Sequence, residues 1–537
     1  MSATGVHGAQ LILLLLLLFI TAFAALARKI ETPYPIVLVI AGLLLGFVPG
    51  MPKITLDPDV IFLVALPPLL YAGAWVASWR DLSYNMVNIS MLAVGLVVFT
   101  VVGVGLAGPL LFAGLDWRIG LVLGAAVSTT DAIAATSIAK RVGLPKRVVD
   151  LLEGESLVND ATGLLALEFA LAIVVDGENP TLTSGFLRLA YLTVGGIGAG
   201  LVLARIVEWF EHRIDDGPME IAISILVPYA AYLSAEAIHA SGVLAVVAAG
   251  LYLGGKSTGF LSASARLQLN AFWDSLTFML NGFVFVLIGL QLRSVLAGVR
   301  ELSTRDIILY GLLFSVLLIL LRMLWSFPGA YVAHLIRTRM LHRKEKLRSA
   351  RETFIIGWTG MRGVLALAAA MSLPHTLADG TPFPHRDLIV FLTFSVIVVT
   401  LVLQGLTLPP LIRALGLAGA SALKCEEQEA RRLVLAAALE HLEEIRQKDA
   451  PGADELYDDM AQHYKDRLSS VTSGMESASA ERYSQYLHLS RTLLKVERRT
   501  AIRLRDEGRI TDEVLRELEF EMDLGETRLV AAAHKHE

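Results

Sequence analysis

The sequence has few of the residues that soluble domains depend on. It contains a single cysteine, Cys425, in 537 residues, which excludes an internal disulfide framework and a cysteine-based zinc site. Charged residues make up only 18% of the chain, and 43 of the 97 lie in residues 421–537. No basic stripe indicates a nucleic-acid partner. The first 420 residues are therefore weakly charged and mostly apolar.

Long apolar runs take the place of the missing charge. Hydrophobic residues make up 55% of the chain, and the mean hydropathy is +0.60. A helix needs roughly 17–25 mostly apolar residues to cross a bilayer core. The pattern predicts an all-α polytopic membrane protein with about thirteen spans in residues 1–417. A count of twelve or fourteen stays open, because the second and ninth candidates are short. The candidates lie near residues 9–27, 34–50, 59–76, 87–112, 118–139, 148–175, 184–209, 219–239, 241–255, 271–292, 306–335, 352–373 and 387–413.

The distribution of basic residues predicts the orientation of the spans. The first apolar run resembles a signal peptide, but the residues before it lack Lys and Arg, so we predict a retained span with its N-terminus outside. In that orientation the inner loops carry 19 Lys and Arg and the outer loops carry 7. This excess predicts a multi-pass protein of the cell inner membrane with a cytoplasmic C-terminus.

Residues 418–537 are predicted to form cytoplasmic helices. Apolar residues recur there at three- and four-residue spacing between charges. Thr511, Asp512 and Glu513 are typical of a helix that restarts with a cap. This pattern fits a solvated helical bundle without chemistry of its own, and it also fits a regulatory sensor.

A polar cluster interrupts the fifth candidate span. In "GAAVSTTDAIAATSIAK", Ser128, Thr129, Thr130 and Asp131 lie at mid-depth among small residues. Unwound backbone is tolerated in a membrane only where it lines a cavity or is buried in protein. Ser and Thr often make polar contacts between helices, but a carboxylate is too costly for packing alone. We therefore predict a broken helix that binds an ion.

The sixth candidate span, "LLEGESLVNDATGLLALEFALAIVV", carries several carboxylates. Glu155 and Asn159 share one helical face, and Ser156 and Asp160 share another. The two carboxylates are therefore expected to have different roles, one satisfied by a fixed cation and the other free to bind a mobile ion. Glu153 is expected to be solvated near the cytoplasmic entrance. The role of Glu168 stays open.

A second helix break is predicted around Arg362 in "IIGWTGMRGVLALAAAM", because Gly360 and Gly363 flank it. A buried arginine needs a carboxylate, and Glu155 is the leading candidate. Arg322 is nearer a helix end and could instead extend to the interface. Other polar residues are expected to make interhelical contacts and not to bind ions. These are Glu220, Tyr229, Glu236, Asp274 and Asn281.

The two predicted breaks occupy matching positions in the chain. They fall in the fifth and twelfth spans, which correspond if spans 1–6 and 8–13 are repeats. Repeats of six spans joined by one extra span must be inverted in the membrane. Breaks at matching positions of two halves indicate the site of a secondary transporter.

At this point a family resemblance is visible. The motifs "TTDAIAATSIAK", "EGESLVNDATGLL", "LNGFVFVLIGLQL", "WTGMRGVLALA" and "VLQGLTLPPLI" occur in the expected order. The chain resembles the bacterial branch of the monovalent cation/proton antiporter-1 family, the sodium/proton exchangers. The resemblance covers residues 10–417 and extends to the tail.

The resemblance implies a homodimer in membrane lipid, with a dimerisation domain and an ion-carrying core that contains two crossed, broken helices. It implies Na+ or Li+ binding at Thr130, Asp131, Ser156 and Asp160, supported by Asn159 and a buried pair of Glu155 with Arg362. No cofactor is implied, since the ions are the substrates. The chain departs from the family pattern at two places. Ala132 replaces a frequent Pro, and Tyr71-Ala72-Gly73 lacks the acidic residue that often follows "PPLL".

These residues predict exchange of Na+ or Li+ for H+ at Asp160, in the service of pH and sodium homeostasis. One titrating group predicts electroneutral exchange, although Asp131 could titrate too. The ligand types also fit a K+/H+ or mixed antiporter. A channel or ion-responsive sensor is a further alternative. An intramembrane aspartyl protease is disfavoured, because its Gly-x-Gly-Asp signature is absent.

Overall fold

A computed structural model describes residues 3–48, 58–112, 114–175, 182–214, 216–300, 302–342, 347–377, 380–419, 422–448, 454–472, 478–507 and 509–533. Lys53 and residues 343–346, which the loop charge count includes, lie outside these ranges. The chain divides into two compact units, Met1–Gly419 and Ala420–Glu537. Most of the described residues in both units are helical, and the described ranges contain no β-strand beyond one isolated bridge between Thr376 and Pro382.

The first unit consists of helices joined by short connections. They are α1 (Ala3–Lys29), α2 (Tyr34–Gly46), α3 (Pro58–Val76), α4 (Trp79–Leu111), α5 (Trp117–Ala126), α6 (Ala132–Val142), α7 (Lys146–Val175), α8 (Leu182–Glu211), α9 (Gly217–Ala237), α10 (Gly242–Phe260), α11 (Ala263–Gly298), α12 (Thr304–Met340), α13 (Ala350–Trp358), α14 (Val364–Met371) and α15 (Arg386–Ala414).

Nine of the described helices are long and apolar enough to cross a membrane, namely α3, α4, α7, α8, α9, α10, α11, α12 and α15. Two shorter apolar helices, α2 and α5, accompany them. Each long helix overlaps one predicted span, and most extend beyond its predicted bounds. The protein is therefore a multi-pass, all-helical membrane protein, as the sequence predicts. The count of thirteen and the inverted repeats stay predictions.

Close backbone contacts hold the membrane helices together. A Cβ on Gly200 would lie 2.1 Å from the carbonyl oxygen of Ala245, and a Cβ on Gly254 would lie 2.1 Å from that of Trp75. Only glycine permits helices to approach this closely. Small residues at helix contacts are typical of membrane proteins, where apolar burial alone does not distinguish a neighbouring helix from lipid.

Local caps fix where several helices begin. The hydroxyl of Ser349 accepts a hydrogen bond from the backbone N–H of Glu352 at 3.2 Å, and the Glu352 carboxylate accepts one in return, forming a capping box. Gly143 ends α6 in the left-handed conformation, at a φ of 78°. In α3, Pro67 and Pro68 lie just after a π-helical turn, Ile61–Ala65.

The second unit consists of α16 (Ala422–Lys448), α17 (Asp454–Thr472), α18 (Ala478–Asp506) and α19 (Asp512–Ala533). Ala501, Leu515 and Met522 form a small core between α18 and α19. The predicted helix restart is confirmed, since the Thr511 hydroxyl accepts a hydrogen bond from the N–H of Val514 at 3.3 Å. The structure thus contains the helical C-terminal region that the charge pattern indicates.

Candidate functional site: two crossed helix breaks

The first predicted helix break is present. Helix α5 ends at Ala126 and α6 begins at Ala132, so the polar cluster lies in non-helical backbone between them. Asp131 caps α6, because its Oδ1 accepts a hydrogen bond from the N–H of Ile133 at 2.8 Å. A carboxylate at this position is favoured by the positive end of the helix dipole.

The second predicted break is present as well, and it touches the first. Helix α13 ends at Trp358 and α14 begins at Val364. The backbone N–H of Asp131 donates to the carbonyl of Met361 at 2.9 Å, which joins the two breaks directly. Gly363 makes this approach possible, since a Cβ on it would lie 2.5 Å from the Cβ of Asp131.

This contact makes Gly363→Ala a test of the crossing. The added methyl cannot fit without moving one of the breaks, because its neighbour Asp131 is held by hydrogen bonds to Met361 and Ile133. Overpacking of this kind costs about 1–3 kcal/mol, so we expect lower thermal stability and a loss of transport activity. Gly255→Ala is the matched control, since nothing lies within 4 Å of its Cβ position. Equal behaviour of the two variants would contradict the crossing geometry.

The structure brings the four predicted ion-binding residues together. The Ser156 hydroxyl donates to the Thr130 carbonyl at 3.0 Å and accepts from the N–H of Ala132 at 3.4 Å. Asp160 lies one turn after Ser156 on the same face of α7, close enough to Asp131 for the two carboxylates to interact electrostatically. Two carboxylates, a hydroxyl and an unwound carbonyl therefore converge where α7 meets the first break.

The predicted pair of Glu155 with Arg362 is wrong. Glu155 instead accepts a bidentate pair from Arg322, with Nη1 at 2.5 Å from Oε1 and Nη2 at 2.9 Å from Oε2. Both side chains are at most 2% exposed. The alternative that Arg322 extends to the interface is also wrong, because α12 runs from Thr304 to Met340 and places this residue near its middle.

Arg362 binds backbone carbonyls of the first break instead of a carboxylate. Its Nη1 donates to the carbonyls of Ser128 and Thr129 at 2.9 and 3.1 Å, and its backbone N–H donates to the Thr400 hydroxyl at 3.1 Å. These carbonyls lie in the unwound segment just after the C-terminal end of α5, where the helix dipole is negative. Arg362 therefore neutralises and holds the open end of the first broken helix.

Arg322 does the same for the second broken helix. Its Nε and Nη2 donate to the carbonyl of Ile356 at 3.3 and 3.1 Å, in the last turn of α13. At each break, a buried guanidinium from another element therefore binds carbonyls at the C-terminal end of the helix that precedes the break. The planar fork of arginine suits this use, since one side chain can serve two acceptors at once.

Thr130 and Asn159 connect these groups to the ligand set. The Thr130 hydroxyl donates to Glu155 Oε1 at 3.0 Å and accepts a hydrogen bond from the Asn159 amide. The other side of that amide, Oδ1, is buried without a hydrogen-bond partner among the described residues. Asn159 therefore orients Thr130 and leaves one carbonyl oxygen available at the crossing.

The remaining polar residues have more ordinary surroundings. Glu153 pairs with Lys140 at 2.7 Å, and Glu168, which is 52% exposed, pairs with Arg188 at 3.0 Å. The hydroxyl of Tyr229 donates to the carbonyl of Val64 at 3.1 Å, a confirmed contact between helices.

The other four residues predicted to make polar contacts between helices differ in burial. Glu220 and Asn281 are buried, in keeping with that prediction. Glu236 and Asp274 are exposed, and their contacts between helices stay predictions.

Two residues near the crossing have no sequence signal. Tyr34, at the start of α2, interacts electrostatically with Asp131 and packs its ring 5.5 Å from that of Phe278. Thr400 opens a π-helical turn in α15 and accepts the Arg362 backbone bond. Such turns frequently mark functional sites, but the surrounding apolar sequence gives no indication of one.

The arrangement suits a hard monovalent cation. Oxygen atoms from carboxylates, hydroxyls and backbone carbonyls can replace the hydration shell of such an ion. No group of three or more His, Cys, Asp or Glu side chains able to hold a metal occurs in the described parts of the chain. The oxygen ligands of the site therefore suit an alkali cation or a proton better than a transition metal.

Comparison with known proteins agrees with this chemistry. Residues 14–414 match the family described as "Sodium/hydrogen exchanger, transmembrane". An uncharacterized Na+/H+ exchanger of Mycobacterium tuberculosis is 34% identical over 517 residues, 95% of this chain and 94% of its own. A "Sodium, potassium, lithium and rubidium/H+ antiporter" of Bacillus pumilus is 34% identical, over 78% of this chain and 63% of its own.

A solved structure shares the fold. The sodium/proton antiporter MjNhaP1 of Methanocaldococcus jannaschii superposes with a TM-score of 0.60 at 23% identity, covering 77% of this chain and 98% of that one. The family resemblance carried by the sequence motifs is therefore confirmed.

Proposed function

This chain belongs to the sodium/hydrogen exchanger family, and from that premise we propose that it exchanges one monovalent cation for one proton across the membrane. The proposed binding group is Asp160, assisted by Asp131, Ser156 and the Thr130 carbonyl. The observation that carries the proposal is the contact between the two helix breaks, Asp131 to Met361. It supports a built site at the crossing and argues against an isolated polar residue.

The exchange follows from competition for one carboxylate. A proton or a dehydrated cation neutralises Asp160, whereas the empty site keeps its charge. Carrying an unpaired carboxylate through the hydrocarbon region is costly, so only the occupied forms change access. The proposed movement shifts the unit that holds the crossing against the rest of the protein. Thirteen spans in inverted repeats and a homodimer belong to the same proposal.

Sodium is the proposed cation, with lithium as a second substrate. The oxygen ligands do not by themselves reject potassium, and the Bacillus pumilus relative carries potassium and rubidium in its name. A mixed Na+/K+ antiporter is therefore the second candidate. The test is flux in proteoliposomes with an internal pH dye, with Na+, Li+ and K+ added in turn. Proton movement with no cation dependence would overturn antiport and favour a channel.

We expect the exchange to be electroneutral. Glu155 is neutralised by Arg322, and Asn159 cannot titrate, so only one charge changes occupant in each cycle. A membrane potential imposed with K+ and valinomycin should then neither drive nor slow Na+/H+ exchange. Acceleration by an inside-negative potential would show that more than one proton moves per cation, with Asp131 as the first residue to suspect.

The C-terminal unit is proposed to lie in the cytoplasm and to regulate transport. All proposed ligands lie in the unit that ends at Gly419, so truncation after this residue should retain cation-dependent proton flux. We expect a changed rate or pH profile, measured beside the full chain in the same liposomes. A folded truncation with no flux at any pH would show that the C-terminal unit takes part in transport itself.

A further inference from the structure

A partly exposed polar stripe leads along α7 to the crossing. Its members recur at three- and four-residue spacing, which places them on one helical face. They are Asp150, Glu153, Ser156 and Asp160. The other positions of this segment are buried except Val158, which is apolar and partly exposed. The buried ones are Leu151, Leu152, Gly154, Glu155, Leu157 and Asn159. The stripe is therefore a continuous polar track and not general exposure of the helix.

This track must face water and not lipid. Three of its four residues are carboxylates, and a charged group facing hydrocarbon is costly. Beyond Asp160 the same face continues with Leu164, which is apolar. The polar part thus runs from the α6–α7 connection to Asp160 and ends there. The basic-residue count predicts that this connection lies on the cytoplasmic side.

One ion pair spans the track two turns before Asp160. Lys140 Nζ lies 2.7 Å from Glu153 Oε1, with the two side chains 61% and 32% exposed. Lys140 is in the last turn of α6, the helix that Asp131 caps. Glu153 precedes Asp160 by two helical turns, about 10.5 Å along the axis. The pair therefore joins the two helices that carry the proposed ligands.

We propose that Glu153 is the carboxylate that receives the cation on the cytoplasmic side before it reaches Asp160, and that Lys140 restrains it. This inference rests on the proposed function. Solvated ion pairs of this kind are weak, so an incoming cation can displace the lysine from the carboxylate. Glu153 lies outside the ligand set at the crossing and holds the cation only on its way to Asp160. Its negative charge concentrates cations at the mouth of the track, and the positive charge of Lys140 opposes this effect.

Because the two residues of the pair carry opposite charges, the proposal predicts KM shifts of opposite sign for the two variants. Glu153→Gln removes the attraction and should raise the Na+ KM measured from the cytoplasmic side, by about two- to fivefold. Lys140→Gln frees the carboxylate and should lower that KM by a similar factor. A purely structural pair instead predicts KM shifts of the same sign, because loss of either partner would disturb the same contact.

The experiment measures Na+-dependent proton movement in everted membrane vesicles, which present the cytoplasmic face to added Na+. Glu168→Gln is the matched control, since it removes a carboxylate paired with Arg188 at 3.0 Å on the same helix, beyond Asp160. It should leave the cytoplasmic-side KM unchanged. Both KM shifts should also shrink when choline chloride raises the ionic strength, because the track is open to solvent.

The outcomes distinguish a failure of the role proposed for Glu153 from a failure of the proposed antiport. KM shifts of opposite sign in the two variants, with an unchanged control, support the role of Glu153. Shifts of the same sign, or an unchanged KM in Glu153→Gln while the wild type exchanges normally, would overturn it. Absence of cation-dependent proton movement in the wild type would instead overturn the proposed function.

Discussion

Replacing Asp160 with asparagine is expected to reduce cation-dependent proton movement to the level of protein-free liposomes. Asparagine keeps the shape of the side chain but cannot bind a proton or supply a negative charge to a cation. Both half-reactions of the exchange are lost together. Since Asp160 lies on the partly exposed face of α7, the substitution should leave folding intact, which the elution profile and thermal unfolding of the purified variant would check.

Asp274→Asn is the matched control for this prediction. Asp274 lies in the membrane helix α11, its side chain is exposed, and it is not one of the proposed ligands. The control should exchange ions like the wild type. If Asp160→Asn transported at the wild-type rate, the cation and the proton would have to bind elsewhere.

Removing the buried arginine Arg322 is expected to destabilise the protein strongly. Arg322→Met leaves the Glu155 carboxylate without its bidentate partner in surroundings where it is 1% exposed. An unpaired buried charge of this kind costs about 3–5 kcal/mol. The Ile356 carbonyl loses its two bonds as well, so the second break should loosen. We expect a lower unfolding temperature in detergent and a poor yield of folded protein.

A double-mutant cycle identifies the partner. Glu155→Leu combined with Arg322→Met should be milder than the sum of the single variants, because no buried charge is left unpaired. The cycle of Glu155→Leu with Arg362→Met should show weaker coupling, since Arg362 donates to backbone carbonyls instead. The opposite order of coupling would restore the pairing predicted from the sequence.

The helix breaks could be predicted from the sequence because their causes are local. A run of hydroxyl residues before Asp131, and glycines on both sides of Arg362, disfavour continuous helix where they stand. The ligand set on α7 could be predicted for the same reason, since Ser156 and Asp160 are one turn apart. Local spacing also fixes that Glu155 and Asp160 face different ways.

The partner of Glu155 could not be predicted in this way. Two buried arginines compete for one carboxylate, and the choice depends on how α12 crosses α7, 167 residues away in sequence. Arg322 is near the middle of both the predicted span 306–335 and α12, so the span bounds alone already disfavour an interfacial position for it. The position of Tyr34 beside Asp131 is likewise a consequence of packing between distant helices and has no local pattern.

Proton release on cation binding tests the central claim most directly. Na+ added to the purified protein in weakly buffered detergent solution should displace protons from the site, one for each ion bound. The release should vanish in Asp160→Asn and persist in Asp274→Asn. Saturating Na+ binding without proton release at any pH near neutrality would contradict competition at Asp160, and with it the exchange mechanism.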